Sequence, residues 1–203
     1  MTAKLIDQRL FLRLFVAFIC ATIVGTLSHE FGHYLVAQFL NVEATIHYKY
    51  TLSRPSNAFE YILITTGGPA QTLLTGTTGL ILLFVNRNSF RPEIVLTIWQ
   101  WLMIFISLFW LRPTANFALW IGSSLIPCGK PFHGDELKLA NYYQWPEWAL
   151  IFLTALIGVL VLATIILKFI PQKHRLTFLI AGLTGGITGY FLWLELFGKY
   201  ILP

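Results

Sequence analysis

Two histidines and a glutamate interrupt the otherwise apolar stretch "GTLSHEFGHYLVAQF" at residues 25–39. On a helix, His29 and His33 project from the same face one turn apart, so both imidazoles can reach one metal ion. In the H-E-x-x-H arrangement Glu30 is not a ligand but the general base that takes a proton from the attacking water. Such groups cost about 2.5–3.5 kcal/mol each at membrane depth. We therefore predict one bound Zn²⁺ per chain, rather than a chance group of polar packing residues.

A catalytic zinc site has three protein ligands and an open position, so the two histidines need a further ligand. We choose Asp135, because the prolines and glycines of residues 127–134 break the helix and let a carboxylate turn inward. Capping of the following helix is the alternative role for Asp135. Glu136 is the alternate ligand, and His133 is expected to support the ligands from behind or to lie in a loop. The remaining candidates are Cys128, Glu60, Glu195 and His47.

The elements that would carry these residues are those of a membrane protein. The 203 residues are 56% hydrophobic and 11% charged, against roughly 25% charged in a soluble domain. The net charge of +5 comes from basic residues mainly at the ends of apolar runs, which suits lipid headgroups and not nucleic acid. The polar connections are too short for a soluble domain. We predict that residues 1–203 form a single membrane-embedded domain.

Five apolar runs are long enough to cross a lipid bilayer; they cover residues 9–40, 59–85, 94–111, 148–170 and 176–197. Residues 113–127 lie between prolines and are predicted to form a short, broken or re-entrant helix. If they do not cross, the N-terminus and both basic loops, with Arg87, Arg91, Lys173 and Arg175, share the cytoplasmic side. The predicted fold is an all-α integral membrane protein, a polytopic bundle of five to six transmembrane helices with one broken segment.

Small residues in two of the runs predict close contacts between helices. Gly67, Gly68 and Pro69 in the second run are typical of a kink where two helices meet. In the last run, Gly185 and Gly189 follow Ala181 at four-residue spacing, which lets another helix approach closely.

The combination of "HEFGH", "GGPAQT" and "IPCGKPFHGDE" resembles the site-2 protease family of intramembrane zinc metalloproteases. The resemblance covers about residues 20–145, with the helices of 148–197 as additions. It implies that His29, His33 and Asp135 bind zinc and that Glu30 is the catalytic base.

This chain departs from the family pattern at two positions. Thr72 stands where the family usually has asparagine, so Gln71 or Thr72 would have to supply the oxyanion donor. Gly68 and Pro69 would then line the substrate cleft. Gly134 precedes Asp135, whereas the family has aspartate before glycine, which keeps Glu136 open as the ligand.

The resemblance implies a zinc-dependent intramembrane endopeptidase, in the lipid bilayer of a prokaryotic cell, acting on a membrane protein or a membrane-anchored peptide. No insertion is long enough for a PDZ or CBS domain, so substrate selection would fall to the membrane core, short loops or a separate adaptor protein. The alternative is a catalytically inactive metal-binding protein of the same fold that acts as a binding or regulatory module. A metal or proton transporter is less favoured, because transport calls for ionisable residues in several spans.

Overall fold

The computed structural model describes residues 6–90, 95–125 and 132–203. Most of these residues are helical, as predicted. The elements in chain order are α1 (Gln8–Phe39), β1 (Ala44–Ile46), β2 (Thr51–Ser53), α2 (Ala58–Val85), α3 (Ile98–Ser107), α4 (Leu111–Leu125), α5 (Asp135–Tyr142), α6 (Glu147–Lys168), α7 (Arg175–Phe191) and α8 (Gly198–Ile201). The antiparallel hairpin of β1 and β2, with Thr45 opposite Leu52, was not predicted and qualifies the all-α assignment.

Five helical segments are long and apolar enough to cross a membrane, and they are Gln8–Phe39, Ala58–Val85, Ile98–Leu125, Glu147–Lys168 and Gln172–Ile201. This agrees with a multi-pass helical membrane protein. Large apolar side chains such as Leu74, Leu183 and Ile187 are exposed on the outside of the bundle, where a lipid environment would cover them.

The predicted division between a third span at 94–111 and a broken piece at 113–127 is wrong. A 3₁₀ turn at Leu108–Trp110 joins α3 directly to α4, so helical structure runs from Ile98 to Leu125. Pro113 lies in the first turn of α4, where a missing N–H costs the helix little. The 28 residues of this segment extend about 42 Å at the α-helical rise, enough to cross a bilayer.

Close contacts between helices are set by glycines of α1, α2 and α7. A Cβ atom on Gly32 would lie 2.5 Å from the carbonyl oxygen of Gly67, so α1 and α2 touch through their backbones. A Cβ on Gly185 would lie 2.6 Å from the Phe15 carbonyl oxygen, and one on Gly189 would lie 3.0 Å from the Ile19 Cα. The predicted packing role of the α7 glycines is confirmed, and their partner is α1.

The start of α1 lies beside the start of α7, since the Asp7 amide donates to the Thr177 hydroxyl at 3.2 Å. The basic residues Lys173 and Arg175 are therefore at the same end of the bundle as the N-terminus of α1. This is the arrangement that five crossings require. Of the other two basic loop residues of that argument, Arg87 follows α2 and Arg91 lies outside the described residues.

The hairpin is held between α1 and the C-terminal segment. The Thr51 hydroxyl lies 2.9 Å from the backbone oxygen of Glu30. On its other side, the Trp193 indole donates to the Tyr48 carbonyl at 2.7 Å, and the Tyr48 amide donates to the Leu202 carbonyl at 3.0 Å. The hairpin therefore covers the part of α1 that carries the H-E-x-x-H motif.

Candidate metal centre

Three potential metal-ligand atoms from α1 and α5 face one another at the centre of the bundle. Nε2 of His29 lies 3.2 Å from Nε2 of His33. Oδ2 of Asp135 lies 3.0 Å from the first of these nitrogens and 3.1 Å from the second. The helical spacing of the histidines explains their pairing, and the start of α5 brings the aspartate to them across more than one hundred residues of sequence.

The triangle formed by these atoms has the size of one face of a tetrahedral coordination shell. With bonds of about 2.0–2.1 Å, two ligand atoms of a tetrahedral zinc site lie about 3.3 Å apart. His29, His33 and Asp135 would hold such an ion through these three atoms. The donor set of two imidazoles and one carboxylate therefore fits a small divalent cation.

Hydrogen bonds behind the imidazoles orient both rings. Nδ1 of His33 lies 2.7 Å from the Ile64 carbonyl oxygen, which can only accept. The amide nitrogen of Gly68 lies 3.2 Å from the same Nδ1. The shorter contact, to the carbonyl, assigns the proton to Nδ1, so that Nε2 of the neutral ring presents a lone pair to the centre. Nδ1 of His29 lies 3.0 Å from the Thr72 hydroxyl. Partners of this kind fix the tautomer and ring orientation of metal-binding histidines.

Lys138 holds the other oxygen of the aspartate. Its Nζ lies 2.9 Å from Oδ1 of Asp135, so Oδ2 alone faces the histidines. Burial opposes the charged form of Lys138, but the adjacent carboxylate raises the pKa of its ammonium. The pair therefore presents Asp135 as a ligand through one oxygen.

The carboxylate of Glu30 is buried beside this triangle and has its own partners. Oε2 lies 3.1 Å from the Thr51 hydroxyl, and Oε1 lies 4.0 Å from Nη2 of Arg112. His29, Glu30 and His33 by themselves also form a group that could hold a metal ion, with ligand atoms within 4.8 Å of one another. The Asp135 carboxylate oxygen lies closer to both histidines, at 3.0 and 3.1 Å. The Glu30 carboxylate instead contacts Thr51 of the hairpin and faces Arg112.

Gly68 of α2 packs directly against the imidazoles. A Cβ atom at this position would overlap Nε2 of His33 and would lie 2.6 Å from Nε2 of His29. These are the atoms that face the candidate metal, so Gly68 is required for space and not only for contact between helices. The neighbouring Gly67 serves the contact with α1 described above.

We expect Gly68→Ala to lose most of its metal, because the added methyl group displaces the imidazole nitrogens that face the ion. Metal content per purified chain would be measured by mass spectrometry. Gly25→Ala is the matched control, since a Cβ on Gly25 of α1 meets nothing within 4 Å. Full metal occupancy in folded Gly68→Ala would contradict the placement of this glycine at the centre.

The other candidate ligands close to Asp135 in the sequence, Glu136 and His133, do not hydrogen-bond to the histidines in the structure. Glu136 is buried, but its carboxylate accepts from Nδ2 of Asn116 at 3.1 and 3.3 Å, and burial raises the pKa of this carboxyl. His133 is exposed. The N-cap of α5 is Gly134, which has no side chain to cap the helix, and Asp135 is the first residue of the helix itself. The alternative capping role of Asp135 is therefore wrong.

The predicted oxyanion donors have other partners. The Thr72 hydroxyl contacts His29 from behind. The amide nitrogen of Gln71 donates to the hydroxyl of Ser28 and, at 2.9 Å, to that of Thr75. The proposal that Thr72 or Gln71 donates a hydrogen bond to a substrate stays a prediction, because these contacts are all made within the protein.

The other candidate ligands do not join the triangle. Glu60 accepts from the Ser56 amide at 2.7 Å near the start of α2, His47 lies 2.5 Å from the Pro203 carbonyl, and Glu195 is exposed. Cys128 and the prolines at 127 and 131 lie outside the described residues.

A cavity of about 220 Å³ lies beside the triangle, between α2, α4, α5 and α6. His29 and Arg112 line it, and most of its remaining wall is apolar, including Pro69, Leu73 and Leu139. Pro69, which was predicted to line a cleft, is thus in a cavity wall next to a candidate ligand.

Three residues of the site were missed by the sequence analysis. Arg112 is an ionisable residue within an apolar run, which is itself a signal of function. Lys138 follows Asp135 by three residues on the same helix face, a spacing at which opposite charges pair. Thr51 carries no such signal, because its position depends on the unpredicted hairpin.

No family model, curated protein or solved structure matches this chain. The capacity of the site to hold a metal ion therefore stands on the geometry of His29, His33 and the adjacent carboxylates.

Proposed function

We propose that the protein is a zinc-dependent intramembrane endopeptidase of the site-2 protease type. Its substrate would be a membrane protein or a membrane-anchored peptide, cleaved in or near a transmembrane helix. The observation that carries the proposal is the meeting of His29, His33 and Asp135 around one point, with the Glu30 carboxylate held beside it. The helix α1, which carries the two histidines and Glu30, is long and apolar enough to cross a bilayer, which supports an intramembrane site.

Each residue of the site has a distinct proposed role. His29, His33 and Asp135 would hold the zinc ion, which when bound polarises a carbonyl and brings the pKa of water toward about 7. Glu30 accepts a proton from the attacking water. Thr51 and Arg112 keep the Glu30 carboxylate directed at the site through the contacts described above.

The proposed hydrolysis proceeds in two steps. Water adds to the scissile carbonyl carbon, the carbonyl π pair moves onto oxygen, and one water proton passes to Glu30. The carbonyl then reforms, the C–N bond breaks, and Glu30 returns that proton to the leaving amine. The substrate helix has to unwind locally, because its carbonyls are otherwise engaged in i→i+4 hydrogen bonds.

The alternative is a catalytically inactive metal-binding module of the same fold. Glu30 argues against it: its buried carboxylate is held by Thr51 and faces Arg112. A purely structural site gains nothing from a second buried carboxylate, whose burial is costly. Selection of substrates by a separate adaptor protein remains part of the proposal, since the connections between the spans are short.

The test is metal analysis and proteolysis of the detergent-purified protein reconstituted in lipid vesicles. We expect one zinc ion per chain and cleavage of a fluorogenic membrane-spanning peptide that contains a helix-destabilising Gly-Pro step. Removal of the metal with a chelator should stop cleavage, and added Zn²⁺ should restore it. Metal-free protein that cleaves the peptide at the full rate would contradict the proposal, whereas zinc binding without cleavage of such peptides would favour the regulatory module.

A further inference from the structure

Arg112 is the single charged residue in the sequence of the helical segment Ile98–Leu125. Its Nε is buried and has no hydrogen-bond partner among residues 6–90, 95–125 and 132–203. Its Nη2 lies 4.0 Å from Oε1 of Glu30, which is an ion-pair separation but too long for a hydrogen bond. The guanidinium therefore keeps at least one donor, Nε, that the described residues do not satisfy.

These donors lie at a cavity that one candidate metal ligand, His29, also lines. Arg112 and His29 both line the cavity of about 220 Å³, and Pro69, Leu73 and Leu139 supply apolar walls. A polypeptide chain that enters this space would bring a backbone carbonyl oxygen to the arginine, whose Nη2 also lies 4.0 Å from the Glu30 carboxylate of the site. The other side-chain acceptors on the cavity walls are the Glu136 carboxylate, which binds Asn116, and threonine hydroxyls, of which that of Thr72 contacts His29.

The Arg112 side chain is 28% exposed, but its Nε is buried, and a buried donor without a hydrogen-bond partner destabilises a protein. The nearby negative charge of Glu30 offsets part of the free energy that burial of the guanidinium costs, but it does not satisfy the free N–H donor. A ligand oxygen that carries or develops negative charge would satisfy this donor, and such an oxygen arises in peptide hydrolysis when the carbonyl π pair moves onto it. The predicted donors for this oxygen, Thr72 and Gln71, are engaged elsewhere.

We propose that Arg112 is a further catalytic residue, whose guanidinium donates hydrogen bonds to the oxygen of the scissile carbonyl and stabilises its negative charge after water adds. The inference rests on the proposed function. Arg112 exchanges no proton in the step: it binds the oxygen while Glu30 holds the proton from water. It releases the oxygen when the carbonyl reforms and the C–N bond breaks.

The test compares two probes that bind the zinc-loaded protein in detergent, with affinities measured by titration calorimetry. A phosphinic dipeptide with leucine-like side chains carries the tetrahedral, charged oxygens of the intermediate, and acetohydroxamate binds the metal without this group. We expect Arg112→Met to weaken the phosphinic probe by about 10- to 100-fold, the effect of a lost hydrogen bond to a charged group. Zinc content and hydroxamate affinity should not change.

Two further variants separate direct contact from an effect through Glu30. In a Glu30→Gln background, Arg112→Met should still weaken the phosphinic probe if the guanidinium touches it. Arg112→Lys, which keeps the charge, should recover part of the affinity and replaces Arg112→Met if the latter does not fold. Arg175→Met is the control, because Nη2 of Arg175 binds the Leu167 carbonyl, away from the site.

Equal phosphinic affinity in the parent and in Arg112→Met would overturn the role of Arg112 and leave the proposed protease intact. Disappearance of the effect in the Glu30→Gln background would also overturn it and would make Arg112 a partner of Glu30 only. A parent protein that binds neither zinc nor hydroxamate would overturn the proposed function and this inference together.

Discussion

Replacement of Glu30 by glutamine is expected to lower the rate of cleavage of a membrane-spanning peptide by about 10²–10⁴-fold, the usual contribution of a general base. The amide has nearly the shape of the carboxylate and can still accept from the Thr51 hydroxyl, which lies 3.1 Å from Oε2. It cannot take a proton from water. The variant therefore removes the proposed chemistry with little change in packing.

The same variant shows which of the two carboxylates at the centre, Glu30 or Asp135, binds the metal. We expect Glu30→Gln to retain its zinc, because the closest carboxylate oxygen to both histidines belongs to Asp135. Loss of zinc would instead make Glu30 a ligand, as the group of His29, Glu30 and His33 permits. Glu60→Gln is the control: Glu60 lies near the start of α2 with Ser56, and both zinc content and cleavage should be unchanged.

The part of the site carried by one helix could be predicted from the sequence. The spacing of His29 and His33 determines that their side chains share a face whatever the rest of the fold is. Long apolar runs likewise predict helices, and four of the five candidate spans agree with the structure to within a few residues.

Features that depend on distant contacts could not be predicted from the residues in the same way. Pro113 indicated a break, but in the structure it lies in the first turn of α4 and continues the segment that begins at Ile98. The two strands of the hairpin have only three residues each, which is too short for an alternating apolar and polar pattern to be recognised. Consequently Thr51, which reaches Glu30 from that hairpin, was missed.

The role of Asp135 could be predicted only in part from the sequence. Local sequence allowed it to cap α5 or to turn inward, and the broken backbone before it, the missing third ligand and the resemblance to a family favoured the second. The structure supplies what local sequence lacked: Gly134 is the N-cap, and the Asp135 side chain extends to α1 instead. Arg112 and Lys138 show that charged residues next to a predicted site are worth including in it.

Asp135→Ala is expected to reduce zinc affinity by at least about 100-fold, since loss of even an indirect partner of a metal ligand costs 10- to 100-fold. Alanine is the cleaner change, because asparagine could still coordinate weakly through its oxygen. The substitution removes Oδ2, which lies 3.0 and 3.1 Å from the two histidine nitrogens. It also leaves Lys138 without its partner, which adds positive charge near the ion.

Affinity would be measured by competition with a chromogenic chelator, and cleavage should be lost in parallel. Glu136→Ala is the matched control: it removes the adjacent carboxylate, which binds Asn116, and should keep its zinc. His133→Ala should also keep it, because that side chain is exposed. If Glu136→Ala lost zinc while Asp135→Ala kept it, the ligand would be the next residue along the chain. The start of α5 would then be rotated by one position, about 100°, from the register in which Asp135 faces α1.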